Sequence, residues 1–337
     1  MTKLRVYYVS AAILFGASSM TMAHHSTGPI YDRSRTVQAE GEVTRIAWRN
    51  PHIAFTLAAT DASGDAQVWE IVTNSVSIVS RFGLTADLVD PGTTVRVAGN
   101  PSRAAGNGMW LTNMLLPDGR EILFGARYQA RWSEQTIGED IRGAITADPS
   151  GELGIFRVWT SGVGGGGFWN SSYPLTVAAA AARANHDLVR DDPTANCAPK
   201  GMPYIMEQPY PMQLIDQGDT IVLRLEEYDT VRSIELAPNT DASDQSPNRL
   251  GYSIGHWQGD TLVVNTSAID YPFFNSSGIP QSSGSRIEER FSLNDDGSRL
   301  NYSMTVTDSA TFTEAVTMSR FWTWRPGEEI RPYDCTP

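Results

Sequence analysis

The sequence has little positive charge relative to its negative charge. Its 337 residues contain 26 lysines and arginines against 38 aspartates and glutamates, a formal net charge of −12. A chain of this kind repels phosphate backbones and anionic lipid surfaces. We therefore expect neither nucleic acid nor an anionic membrane as a partner, and the sequence does not indicate an oligomeric state.

The sequence also lacks a hydrophobic run of the roughly 18 residues that a membrane-spanning helix needs. Its first 23 residues have the features of a signal peptide instead: Lys3 and Arg5, an apolar stretch over residues 6–16, and small residues at Thr21 and Ala23. Cleavage after Ala23 would remove both basic residues and move the net charge to −14. We predict a periplasmic or secreted protein; the alternative is a buried core helix at the N-terminus.

Cysteine is scarce, with only Cys197 and Cys335 in the chain. An even pair in an oxidising compartment predicts a disulfide, and two buried free thiols are the alternative. Neither cysteine belongs to a C-x-x-C motif or lies beside a histidine, so a redox or metal role lacks support. The bridge would tie the C-terminal tail to the start of a second domain.

Residues 36–124, after an arm at residues 24–35, form the first predicted domain. Turn residues separate five short strands, with a helix between the third and fourth that Asn74 caps and Gly83 ends. The predicted strands cover residues 41–48, 52–60, 67–73, 94–99 and 109–116. This order favours an OB-like barrel over a generic five-stranded sheet with one helix.

The segment at residues 125–200 is predicted to be a linker with one alanine-rich helix at residues 175–189. Its run of four glycines at residues 164–167 precedes no lysine, which favours a loop over a phosphate-binding site. From residue 201 onwards the hydrophobic period is two. Eight strands in meander order predict a lipocalin-like antiparallel barrel, or a sandwich of similar size. The predicted strands cover residues 211–216, 220–228, 231–236, 251–257, 261–267, 285–293, 300–307 and 312–324.

Several short motifs resemble those of uncharacterised exported bacterial proteins. In the second half they read CAPKGMP at residues 197–203, PYP at 209–211, EEYDTVR at 226–232 and GHWQGDTLVV at 255–264. The first domain resembles another such module of unknown function through HHS at residues 24–26 and NPH at 50–52. These resemblances imply export and architecture but no activity. Relatives often start the second domain with a Gly-x-Trp-like motif, where this chain reads GIFRVW at residues 154–159.

Histidine is also rare, and three of the five are candidates for a metal site: His24, His25 and His52. After cleavage at Ala23, the α-amine and imidazole of His24 would form a bidentate nitrogen ligand. One further imidazole from His25 or His52 would give the nitrogen set that Cu(II) favours. The alternatives are solvated N-terminal histidines and a His52 that bonds a backbone carbonyl.

Alternation in the predicted barrel assigns apolar side chains to shared interior faces, and polar residues interrupt these faces. The apolar set comprises Ile221, Leu223, Leu225, Ile287, Phe291, Leu293, Leu300, Tyr302, Met304, Val306, Val316, Met318, Trp322 and Trp324. The polar set comprises Glu227, Glu289, Glu314 and Arg320. A carboxylate inside a barrel is costly unless it is paired or neutral, so these groups either form an ion pair with Arg320 or line a wet cavity.

No complete catalytic motif is present, neither G-x-S-x-G nor H-E-x-x-H. Our leading hypothesis is therefore a small, partly apolar ligand in the barrel, bound by Glu227, Arg232, Tyr302, Arg320 and Trp322. The second is an enzyme that uses Glu226, Glu289 or His256 as an acid or base, for isomerisation, elimination or hydrolysis. His256 and Asp260 also fit an ordinary hairpin turn. An N-terminal copper-binding protein is the third hypothesis, and a structural envelope protein without ligand is the fourth.

Overall fold

The chain folds into two closed β-barrels, which confirms the mainly β class. The structure is a computed structural model that describes residues 30–104, 106–148, 152–161, 172–187, 190–191, 193–237 and 244–336. The predicted signal peptide, His24 and His25 lie outside these residues.

The first domain has the predicted order of three strands, a helix and two strands. The five barrel strands are β1 (Val37–Ala47), β2 (Ala54–Thr60), β3 (Ala66–Val72), β4 (Thr94–Pro101) and β5 (Gly108–Leu115). β1 pairs with both β2 and β4, and a parallel pairing of β3 with β5 closes the barrel. Two short strands continue the sheet after β5: β6 (Glu121–Leu123), and β7 (Thr136–Ile137), which lies beyond the predicted end of the domain at residue 124.

The helix of this domain, α1 (Val76–Val79), begins one residue later than predicted and continues as a 3-10 turn over Ser80–Phe82. Ser75, not Asn74, is its N-cap, because the Ser75 hydroxyl accepts the amide of Ile78. Asn74 instead donates its side-chain amide to the carbonyl of Phe124 at 2.8 Å. Gly83 ends the turn as predicted, at a φ of +70° that glycine adopts without strain.

The second domain is a nine-stranded closed barrel in which the eight predicted strands are present. Its strands are β8 (Val158–Thr160), β9 (Met212–Asp216), β10 (Thr220–Leu225), β11 (Thr230–Glu235), β12 (Tyr252–Gln258), β13 (Thr261–Ser267), β14 (Arg286–Leu293), β15 (Arg299–Thr307) and β16 (Val316–Trp324). The additional strand, β8, comes from the predicted linker and pairs with β16 and β9. It is only three residues long, too short to show alternation in the sequence.

An odd number of strands prevents a closed barrel from being antiparallel throughout. The parallel pair is β11 with β12, which meet at the single register pair Glu235 and Ile254. The remaining linker contains α2 (Val177–Asn185), which is shorter than the predicted helix.

The interior of the second barrel is a packed core, and its faces follow the predicted alternation along β14, β15 and β16. The 3-10 turn Tyr204–Glu207 contributes three buried side chains to the same core. Two expectations for polar residues are wrong. Glu314 is exposed because it precedes the start of β16, and Glu227 and Glu289 pair with Lys200 and Arg232 instead of Arg320. Arg320 donates to the carbonyls of Met206 and Gln208.

The predicted disulfide between Cys197 and Cys335 is present, over a sequence separation of 138. Cys335 also forms a β-bridge with Asn50 of the first domain. The C-terminal tail is thus attached covalently to the segment between β8 and β9, and by backbone pairing to the first domain.

Candidate functional site

A groove lies between the two domains, next to the mouth of the second barrel. The first domain contributes α1 with its 3-10 turn and the loop after β6. The second contributes the end of β8 and the Pro209–Tyr210–Pro211 segment before β9. The lining residues are Asn74, Ser77, Ile78, Arg81, Phe82, Gly125, Ala126, Arg127, Tyr128, Arg142, Thr160, Ser161, Pro209, Tyr210 and Pro211.

Arg81 forms the floor of the groove and connects the two domains. Its Nη1 and Nη2 donate to the two carboxylate oxygens of Glu226 at 2.8 and 2.7 Å, and its Nε donates to Glu328 at 2.9 Å. Burial alone lowers the pKa of Arg81, but the hydrogen bonds and charges of Glu226 and Glu328 raise it above its usual value. The guanidinium is therefore held as a cation, in one orientation, at the domain boundary.

The EEYDTVR motif places three acidic side chains at this boundary, Glu226, Glu227 and Asp229. Glu226 bonds Arg81 and the amide of Arg331, and Glu227 accepts the ammonium of Lys200 at 2.9 Å. Asp229 then accepts the amide of Tyr333 from the C-terminal tail at 3.2 Å. The motif therefore holds the first domain, the segment after Cys197 and the tail together.

The NPH motif has a similar role on the other side of the boundary. Asn50 is buried, and its Oδ1 accepts the amide of Ser77 at 3.2 Å, in the first turn of α1. Its Nδ2 donates to the Ser77 hydroxyl and to the carbonyl of Tyr333. Tyr210 adds a hydrogen bond across the boundary from its hydroxyl to Ser75 at 3.1 Å. These bonds fix the floor of the groove and its second-domain wall.

The opposite wall is the loop after β6, and buried polar groups hold it in place. Glu121 is fully buried and accepts the backbone amides of Arg131, Trp132 and Ser133 at 2.8–3.0 Å. These bonds and that from Asn113 outweigh the effect of burial, so the pKa of Glu121 lies below its usual value. Gly125 opens the loop at a φ of +151°, and a Cβ there would lie 3.3 Å from the Tyr128 ring.

The groove has a volume of about 340 Å³, and its lining is cationic and aromatic. Arg142 lies over the ring of Phe82 and Arg127 over the ring of Tyr128, each with 5.4 Å from the guanidinium carbon to the ring centroid. Asp140 binds Arg142 through two hydrogen bonds of 2.7 Å, whereas Arg127 is exposed and forms no ion pair with the described residues. The lining contains no carboxylate.

The sequence-predicted residues Arg232, Tyr302 and Glu289 meet inside the second barrel. Arg232 binds both carboxylate oxygens of Glu289, and Tyr302 donates its hydroxyl to Glu289 Oε1 at 2.7 Å. Ser253 and Thr266 accept two further guanidinium hydrogens at 3.0 and 2.7 Å. Burial lowers the pKa of Arg232, but Glu289 raises it above the usual value, so this network is a satisfied ion pair.

The other predicted ligand-binding residues are also buried. Glu227 pairs with Lys200, and Trp322 packs in the core, with the guanidinium carbon of Arg320 4.5 Å from its ring centroid. Burial lowers the pKa of Arg320 to about 10, so it remains a cation at neutral pH. Tyr302 and Arg320 also line a pocket of about 440 Å³ on the outer wall of the barrel, and the ligand-binding roles of the five predicted residues remain predictions.

The three candidate acid–base residues do not share one site. Glu226 lies at the domain boundary, Glu289 in the barrel core, and His256 on the outside of β12, where its Nε2 lies 3.0 Å from the side-chain amide of Gln258. β12 and β13 form the hairpin expected from the GHWQGD sequence, with Gly259 at a φ of +59°. The catalytic roles of these residues remain predictions.

Sequence reasoning missed Glu207, the last residue of the 3-10 turn Tyr204–Glu207. Glu207 is half-buried as a residue, but its Oε2 is buried and has no hydrogen bond within the described chain. Burial raises the pKa of its carboxyl to about 7. The surrounding YIME segment carries no acid–base motif, so only three-dimensional packing reveals this group.

His52 is the one metal-site candidate that the structure describes. Its Nδ1 lies 2.9 Å from the carbonyl oxygen of Thr73, and its ring meets that of Trp110 edge-on at 5.5 Å. Across the described ranges, no group of three or more His, Cys, Asp or Glu residues is placed to hold a metal ion. Across the same ranges, no helix combines the length and apolarity that a membrane crossing requires.

Comparison with known proteins supports the first-domain resemblance only. A family model described as "Family of unknown function (DUF6152)" matches residues 12–110, which include the NPH motif and four complete strands of the first barrel. No curated protein and no solved structure matches the chain. The resemblance of the second domain therefore remains a prediction.

Proposed function

We propose that this is an exported protein that binds a small, partly apolar molecule carrying an anionic group, and that it binds this molecule in the groove between its two domains. The observation that carries the proposal is the lining of that groove, where guanidinium groups and aromatic rings occur together and carboxylates do not. Export is supported by the signal-like N-terminus and by the disulfide, which is typical of proteins outside the cytoplasm.

The groove fits a ligand better than the barrel interior does, because the interior is filled by core side chains. Its volume of about 340 Å³ lies at the lower end of ligand sites. Phe82 and Tyr128 offer ring faces or edges, and Arg127 is an exposed cation whose charge no described carboxylate neutralises. A ligand carboxylate or sulfonate would gain a charge-assisted hydrogen bond there.

The test uses 8-anilinonaphthalene-1-sulfonate, a fluorescent probe that combines aromatic rings with one anionic group. We expect saturable binding at a single site, which Ala126→Trp blocks because this side chain would occupy the groove. Ala62→Trp, in the exposed β2–β3 turn, is the matched control and should leave binding unchanged. Arg127→Gln should weaken the probe by about tenfold, the loss of one charge-assisted contact. Equal binding by both tryptophan variants would refute the proposal.

A second candidate function, Cu(II) binding at the mature N-terminus, is favoured by the orientation of His52. A carbonyl oxygen only accepts hydrogen bonds, so Nδ1 carries the proton and Nε2 is the nitrogen able to coordinate. Such a bond to a backbone carbonyl is typical of metal-binding histidines. Tyr31 packs on the same Trp110 ring at 5.8 Å, so the described start of the N-terminal arm lies close to His52.

This second function predicts a Cu(II) complex with nitrogen ligands in protein that begins at His24. Electron paramagnetic resonance would show nitrogen hyperfine coupling, and an added residue before His24 should remove the tight site. His52→Gln should change the spectrum if the third nitrogen ligand comes from His52. Copper binding that neither change affects would rule out this site.

A further inference from the structure

A second pocket lies on the outer wall of the nine-stranded barrel, away from the groove. It spans β13 to β16 and has a volume of about 440 Å³. The strand register brings its polar side chains together: Arg290 lies opposite Ser303, Ser303 opposite Ser319, and Ser292 opposite Asn301. Neighbouring positions across antiparallel strands lie about 5 Å apart, so these groups form one continuous polar surface.

Arg290 donates to the side chain of Gln258 at 3.0 Å, but other hydrogen-bonding groups of this pocket have no partner among the described residues. The side chains of Ser292, Asn301, Ser303 and Ser319 form no hydrogen bond within the described part of the chain. Arg299 packs its guanidinium on the Phe321 ring at 4.9 Å, and its Nε is buried without an acceptor among the described residues. A buried donor without a partner costs free energy that a ligand acceptor would recover.

The charge of the pocket is opposite to that of the protein. Arg290, Arg299 and Arg320 line it together with Tyr302 and further hydroxyl and amide groups, and no carboxylate is among the lining residues. Two carboxylates lie near the lining: Glu288 Oε1 is 3.6 Å from Arg290 Nη1 with both side chains well exposed, and the buried Glu289 accepts the hydroxyl of Tyr302 at 2.7 Å. In a chain of net charge −12, such a surface selects an anion locally.

We propose that this outer-wall pocket binds an anionic sugar, whose carboxylate pairs with Arg299 and whose hydroxyls meet the serine and asparagine side chains. The hydroxyl and amide groups both donate and accept, as sugar hydroxyls do. Phe321 supplies the apolar edge that a sugar ring can contact. The site differs in residues and location from the interdomain groove, so it does not depend on the ligand proposed there.

The test is saturation-transfer difference NMR of the full mature chain with D-glucuronate, D-glucose and inorganic phosphate as separate probes. We expect glucuronate to bind, and Arg299→Gln to weaken it by about tenfold, the loss of one charged contact. Arg286→Gln is the matched control, because Arg286 lies on β14 outside this pocket and bonds the carbonyls of Gly284 and Ser285. Circular dichroism would establish that both variants are folded.

Each remaining outcome decides the proposal. If glucose binds as strongly as glucuronate, the negative charge does not contribute to recognition. If phosphate binds as strongly as glucuronate, the sugar hydroxyls do not contribute. Equal loss in the Arg286 and Arg299 variants, or no transfer to glucuronate at millimolar concentration, would overturn the site. Glucuronate binding that persists in Ala126→Trp would show that this pocket binds glucuronate independently of the interdomain groove.

Discussion

Removing the charge of Glu289 should destabilise the second barrel strongly, although the ion pair itself contributes little net stability. Arg232 and Glu289 are 1% and 0% exposed at their side chains, so Glu289→Gln leaves a guanidinium buried without its counter-charge. Breaking a buried pair in this way costs about 3–5 kcal/mol.

Removing both charges together should cost much less. In the double variant Arg232→Met with Glu289→Met, Ser253 and Thr266 can still bond each other, at 3.1 Å in the native protein. The Tyr302 hydroxyl, however, loses its acceptor, which costs about 1–3 kcal/mol. Adding Tyr302→Phe removes that group, so the triple variant should return to within about 1 kcal/mol of the native stability or exceed it.

Hydrogen exchange, followed by mass spectrometry in peptides from β14 and β15, measures the opening free energy of the second barrel separately from that of the first domain. The opening free energy should fall in Glu289→Gln, recover partly in the double variant and recover further in the triple variant. A triple variant as unstable as Glu289→Gln would refute the reasoning, because the loss would then not come from an uncompensated charge.

Three further predictions concern the 3-10 turn Tyr204–Glu207, the C-terminal tail and the domain boundary. Because burial raises the pKa of Glu207 from 4.5 to about 7, native stability should fall as the pH rises through that interval. Glu207→Gln should abolish this dependence of the unfolding free energy on pH, measured by urea unfolding. An equal pH dependence in the two proteins would contradict the assignment. Replacing Cys197 and Cys335 by serine should lower the unfolding free energy by about 5 kcal/mol, because the unfolded chain gains loop entropy. It should also expose Tyr333 to chymotrypsin, and a Tyr333 that stays protected would contradict this prediction. Arg81→Met should leave the buried carboxylates of Glu226 and Glu328 without this cation and lower the unfolding free energy by about 3–5 kcal/mol. Arg224→Met is the control, because Arg224 is exposed and its replacement should change the unfolding free energy little.

The fold was largely predictable because strand alternation and turn residues are local signals. The hairpin of β12 and β13 is an example, since a period of two on both sides of Gln258-Gly259-Asp260 specifies it directly. β8 was not predictable in the same way, because its three residues gain strand structure only from pairing with β16 and β9. Likewise, the N-cap moved from Asn74 to Ser75 because Asn74 bonds the distant Phe124 carbonyl.

The candidate site was less predictable because it forms between segments that are far apart in sequence. Glu226 was selected as an acid–base candidate from its motif, but its partner Arg81 lies 145 positions away in another domain. No pattern within either segment signals that pairing. Arg232 and Glu289 were identified individually for the same reason, and only the closure of the barrel makes them partners.

The location of these charges has a consequence for where a ligand can bind. Two buried arginines are neutralised by protein carboxylates: Arg232 by Glu289 in the barrel core, and Arg81 by Glu226 at the domain boundary. Such pairs have no capacity left for a ligand without losing an existing bond. Arg127 and Arg299, in contrast, lie over aromatic rings and form no ion pair with the described residues. Ligand recognition by this protein should therefore depend on arginines at the pocket surfaces, and not on the buried polar residues that the sequence pattern singles out.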